Sequence, residues 1–180
     1  DRVEGLEDRA FCYALDQVER QEDTLRLWLK AEPRAAEEYG APRQAVVSYT
    51  FGNRVDIRLE WFKKDASRIP EGIFFGMGLE GLQREQLRIT KLGLPVAPYC
   101  VREGGNRKLH AACRVQCGGI QLESLHAPLL SVGGRHLYDE NEEYGALEDG
   151  LYYLLFNNRW NTNFRLWYEE NASFEFQLKL

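Results

Sequence analysis

Val55-Asp56-Ile57-Arg58-Leu59-Glu60-Trp61-Phe62 decides the fold class. Val55, Ile57, Leu59 and Trp61 face one way, and Asp56, Arg58, Glu60 and Phe62 face the other. A period of two belongs to a strand with one buried face; a helix would scatter the same residues around its axis. Just upstream, Val46-Val47-Ser48-Tyr49-Thr50-Phe51 is β-branched and aromatic, and Gly52-Asn53 between the two runs is a turn signal. The pair is therefore predicted to form a β-hairpin.

Further strands are predicted on both sides. Residues 24–30 place Leu25, Leu27 and Leu29 on one side, and residues 73–79 carry Gly76 and Gly78 two apart. Two glycines on one strand face mark a bulge or a close approach of backbone or ligand. Residues 85–92, 108–116, 119–125 and 151–156 are also read as strands, the last apolar on both faces and so central. Residues 173–180 alternate and are expected to close a sheet and tie down the C-terminus. Helix is scarce. Residues 32–39 read as a short helix, with Pro33 in the first turn, Gly40 ending it and Pro42 preventing its resumption. Residues 2–20 are charged with scattered apolar positions; helix fits the first part, and strand is the alternative for residues 11–15. Gly133-Gly134 and the acidic stretch 139–148 read as loops. The expectation is a mainly β, antiparallel β-sandwich with minor helix: a lead-in over 1–23, then one sandwich domain over 24–180.

Composition narrows the partners. The 180 residues carry a net charge of −5 with both signs mixed along the chain. Without a basic stripe, neither nucleic acid nor an anionic membrane surface is expected to bind. No apolar run approaches the ~20 residues of a membrane-spanning helix, and the charged first residues do not read as a signal peptide. The chain begins at Asp1, not methionine, and is read as a fragment of a longer polypeptide.

The cysteines are Cys12, Cys100, Cys113 and Cys117. On one regular strand Cys113 and Cys117 would lie about 13 Å apart, too far for a disulfide. Buried free thiols in a reducing, cytoplasmic setting are expected, with no zinc in this chain and no other cofactor.

The chemistry-bearing stretch is Asn157-Asn158-Arg159-Trp160-Asn161-Thr162-Asn163, between 151–156 and a strand-like run over 164–168. Its amides and guanidinium suit hydroxyl groups, and an indole stacks on a sugar face. The same groups equally serve to satisfy the backbone of a tight β-connection. Asn157, Asn158, Arg159, Trp160, Asn161 and Asn163 are the candidate substrate-binding residues, and no catalytic residue or metal ligand is assigned. Trp61 and Trp167 are expected in the core. Asp56, Arg58 and Glu60 read as a cross-neutralised solvent face in preference to a catalytic pair. His110 and His126, paired with Glu123, could in principle serve acid–base work, but no local spacing joins them.

Several blocks resemble the C-terminal β-domain of proteins related to glycoside hydrolase family 38, the α-mannosidase-like family. They are Arg54–Lys64 with Ala66–Phe75, then Lys108-Leu109-His110-Ala111, Leu125–Leu130 and, most specifically, Phe156–Trp167. The family form of the last block reads Tyr-Asn-Asn, a variable residue, then Trp-Gly-Thr-Asn-Phe; Phe156 and Asn161 depart from it here. The resemblance implies a supersandwich, galactose mutarotase-like fold. It also implies an accessory, non-catalytic domain whose partner is a catalytic module elsewhere in the same longer chain. In that family the catalytic aspartate and zinc ligands lie in a separate α/β barrel, and the β-domain packs on it and can rim the sugar site. Two other readings stand beside it: an autonomous carbohydrate-binding module, and a stand-alone sugar-processing enzyme built on His110, His126 and His136.

Overall fold

A computed structural model describes residues 5–137, 143–159 and 167–180. These fall into two compact units that share the chain in alternation. The first takes in 5–52, 56–71, 157–159 and 167–174, and the second 53–55, 72–137, 143–156 and 175–180.

The first unit begins with β1 (Ala14–Gln21), β2 (Thr24–Lys30), helix α1 (Pro33–Tyr39), β3 (Gln44–Phe51) and β4 (Val55–Phe62). The strands neighbour one another in the order β1-β2-β3-β4. β4 behaves as its alternation predicts: Ile57, Leu59 and Trp61 are buried, Asp56 and Arg58 are exposed, and Arg58 pairs with Glu60 at 3.1 Å. Trp61 lies against Phe174 with ring centroids 5.1 Å apart, and its indole N–H donates to the Glu170 carbonyl at 3.1 Å. That hydrogen bond removes the cost of burying the polar end of a large ring.

The helix expected in the N-terminal part needs correction, and the strand alternative for residues 11–15 holds from Ala14 onward. Residues 5–13 are not helical, and residues 14–21 form β1, paired antiparallel with β2. The ladder slips at Asp16: Leu15 faces Leu29, while Gln17 faces Trp28. The extra residue is a β-bulge, which puts Leu15 and Val18 on one face although they are three apart. Apolar residues so spaced read as helix in a sequence, which is why the alternation was hidden.

Helix α1 matches its sequence signals. Pro33 occupies its first turn, Ala35 and Ala36 bury its inner face, and Gly40 caps it at φ 74° in the left-handed region. A β-carbon on Gly40 would sit 2.5 Å from Cβ of Ser67. Gly40→Ala therefore carries both backbone strain and a clash, and should lower the unfolding free energy by about 1–2 kcal/mol in urea titrations.

The second unit is a two-layer antiparallel sandwich. Its strands are β5 (Gly72–Met77), β6 (Arg88–Lys91), β7 (Leu94–Val96), β8 (Leu109–Ala111), β9 (Arg114–Cys117), β10 (Ile120–Ser124), β11 (Leu129–Val132), β12 (Leu151–Asn157) and β13 (Ala172–Lys179). β13 opens in the first unit and ends in this one. One layer here runs β13-β10-β9-β6-β7 and the other β5-β12-β11-β8. Phe176 of β13 joins them, 5.0 Å from the Phe75 ring of β5 and 5.2 Å from Tyr153 of β12. Around it Leu87, Ile89, Val115, Leu122, Leu130, Val132 and Leu151 are 2% exposed or less. Each such side chain contributes about 1.5–3 kcal/mol of burial, so this is where the unit's stability resides.

Gly76 of β5 makes the close approach its position suggested: a β-carbon there would meet the Tyr152 ring at 2.6 Å, whereas Gly78 has open space. The single strand expected over 108–116 is two. β8 belongs to one layer and β9 to the other, with Ala112 and Cys113 as the crossover. The crossover is pinned from outside: Ala112 N–H donates to Pro128 O at 2.9 Å, and Ser124 N–H donates to Cys113 O at 2.7 Å. β13 lies inside its layer, paired with β10, not at an edge.

Candidate functional site

The polar stretch after β12 is described as far as Arg159; Trp160, Asn161 and Asn163 lie outside the described residues. Asn157 ends β12, and its Oδ1 accepts from Arg159 N–H at 2.8 Å, a local turn that asparagine makes readily. Arg159 is exposed. Asn158 is 4% exposed, and its whole amide is used on one neighbouring segment. Oδ1 accepts from Glu71 N–H at 2.6 Å, Nδ2 donates to Ile69 O at 2.9 Å, and its own backbone N–H donates to Glu71 O at 3.2 Å. Of the two roles the sequence allowed, Asn158 takes the structural one. Asn158→Ala strands a backbone donor and acceptor at residues 71 and 69, and should cost about 2–3 kcal/mol by denaturant unfolding.

Glu71 leads from this clasp to a buried charge. Lys64 has a side chain with no exposed surface; its Nζ donates to Glu71 Oε1 at 2.6 Å and to Gly40 O at 2.9 Å. It arrives there because Lys63, at φ 57°, turns the chain after β4 and resets the in–out phase. Lys63 is held in turn by its N–H donating to Asn171 Oδ1 at 3.1 Å. Burial pushes the Glu71 carboxyl above the ordinary carboxylate range, while the hydrogen bond and charge of Lys64 oppose the shift. Tyr13 adds a third polar group: its hydroxyl donates to Pro42 O at 2.6 Å, and burial, then the Glu71 charge, raises its pKa. A lysine closed off from solvent meets no substrate, so these groups join segments of the chain to one another.

Of the groups with acid–base chemistry, Glu123, His126 and His136 are engaged locally. Glu123 receives both nitrogens of the Arg114 fork, at 2.9–3.2 Å. His126 Nδ1 accepts from Glu175 N–H at 3.2 Å. His136 Nε2 lies 3.0 Å from Gly133 O. His110 is buried at 1% exposure on β8. Among the described residues no three of histidine, cysteine, aspartate and glutamate gather as metal ligands.

Two core assignments change. Trp167 is 36% exposed, with the Arg68 guanidinium 4.9 Å from its ring centre. Cys12, Cys100 and Cys113 are exposed free thiols, and only Cys117 is buried, where its Sγ accepts from Gln83 N–H at 3.1 Å. The break between β8 and β9 is what turns Cys113 outward. Sequence reading also missed a stack in the second unit: Arg84 lies 4.1 Å over Tyr99, and Tyr99 lies 5.6 Å from Tyr144, with Arg107 5.3 Å over the latter ring. Burial raises the Tyr99 pKa, the charge of Arg84 opposes the shift, and Glu148 and Glu85 add to it. Widely separated residues form this stack, so no local motif announces it.

Comparison with protein-family models, with curated proteins and with solved structures finds no match to this chain. Among the described residues, no helix is long and apolar enough to cross a membrane.

Proposed function

We propose that this chain is a non-catalytic β-sandwich domain of a glycoside hydrolase family 38-like protein, supporting a separate catalytic module of a longer chain. One observation carries the reading: Asn158, the most buried described residue of the family-like block, spends its side-chain amide on residues 69 and 71 of its own unit. In this reading the block clasps the domain, and the sugar chemistry belongs to the neighbouring module. Zinc, where used, is held by that module. The mainly β, antiparallel architecture supports the reading, as do the local engagements of Glu123, His126 and His136. Free cysteines, three of them exposed, are in keeping with a reducing, cytoplasmic location as part of the same proposal.

Calorimetric titration of the chain with mannosides and other glycans, beside a hydrolysis assay with aryl mannosides, tests it. No saturable binding and no turnover are expected. Saturable binding without turnover would establish the carbohydrate-binding module instead, through exposed Arg159 and the residues that follow it; turnover by this chain would overturn both.

A further inference from the structure

His110 occupies the centre of β8, a three-residue strand that, among the described residues, lies at the edge of its layer and pairs only with β11. Its ring is 1% exposed, and neither Nδ1 nor Nε2 has a hydrogen-bond partner among the described residues. A neutral imidazole carries one donor and one acceptor, so a donor is already unsatisfied; the charged ring would bury a second donor and a full charge.

The surroundings do not welcome that charge. β11 faces β8 with Leu129, Leu130 and Ser131, none of them ionisable. Lys91 of β6 is the charged group acting on the ring, and the residues preceding β8 are Arg107 and Lys108. Burial first, then the positive charge of Lys91, lowers the imidazole pKa from 6.5 to about 4. The Arg107 backbone is near enough to favour the proton slightly, short of completing a hydrogen bond.

We propose that β8 is an acid-released latch: protonating His110 frees this edge strand from β11 while the rest of the sandwich stays folded. Besides its short ladder the strand is held by Ala112 N–H to Pro128 O and Val132 N–H to Lys108 O, both at 2.9 Å, while Lys108 N–H and Leu109 N–H donate to Asn106 Oδ1 at 2.9 and 2.8 Å, bonds to the loop that precedes the strand. Gly104 and Gly105 precede it in a loop that can absorb the movement. Release uncovers the backbone groups of β11, an edge onto which another strand can pair. This latch does not depend on the proposed function of the chain.

The direction follows from linkage. The folded pKa lies below the unfolded one, so the opened strand takes up the proton preferentially. Closure is fully favoured above about pH 6.5 and loses that advantage as the pH falls towards 4. Between pH 7.5 and pH 5 the opened population should rise roughly 30-fold.

Amide hydrogen exchange on the 180-residue chain, corrected for the intrinsic pH dependence of exchange, reads this directly. Protection at residues 109–112 and 129–131 should fall roughly 30-fold between those pH values, with protection at Leu122 and Tyr153 unchanged. His110→Leu should abolish the pH dependence. Should that variant fail to fold, NMR titration of the His110 ring in the unaltered chain decides, with a midpoint near 4 expected. A midpoint near 6.5, or a loss of protection spread evenly over both layers, would overturn the latch.

Discussion

Replacing Glu71 with leucine should lower the unfolding free energy by about 3–5 kcal/mol, because it takes from a buried ammonium the carboxylate to which it donates at 2.6 Å. Lys64 has no exposed side-chain surface, and with Glu71 gone Gly40 O remains as an uncharged acceptor at 2.9 Å. The magnitude comes from abandoning one charge in a low-dielectric site, not from the worth of the pair. Lys64→Met combined with Glu71→Leu should therefore recover most of the loss, since an apolar pair of similar volume carries no desolvation cost. Urea unfolding of the two single variants and the double variant at pH 7 gives the coupling. Equal, additive losses in the two single variants would show that the residues do not act as a pair.

Gly145→Val should be equally damaging for a different reason. A β-carbon at Gly145 would fall inside the carbonyl oxygen of Val132, at the end of β11. The reverse contact is as tight, since a β-carbon on Gly133, at φ 73°, would overlap the backbone of Ala146. Two backbones thus cross where neither tolerates a side chain, and Gly133 N–H continues from there to Gly150 O at 2.9 Å. Both obstructing groups are main chain, so no rotamer change relieves them. A loss of about 3–5 kcal/mol is expected in chemical denaturation, against about 0.5 kcal/mol for Gly78→Ala, where the space is open.

Both sites show why the sequence disclosed the fold better than its polar interior. β4 and α1 could be read because each is decided by neighbours in the chain: alternation in one, Pro33 and Gly40 in the other. β1 was hidden because the bulge at Asp16 shifts the alternation by one residue. The division of 108–116 into β8 and β9 was hidden because Pro128 and Ser124, distant in sequence, hold the crossover. Lys64 was passed over since nothing local distinguishes it from exposed Lys63; the left-handed turn at Lys63 buries it, and Glu71 makes that burial tolerable. The segment around Asn158 was found by its composition. Its use as a clasp depended on the carbonyl and amide of residues 69 and 71, which no pattern within 157–163 reveals.

The side-chain amide protons of Asn158 report most directly on whether this corner serves the fold or a ligand. In heteronuclear NMR of the labelled chain they should exchange slowly with water and stay in place as mannosides are added to saturating concentrations. Rapid exchange together with a saturable shift of those protons would contradict the account.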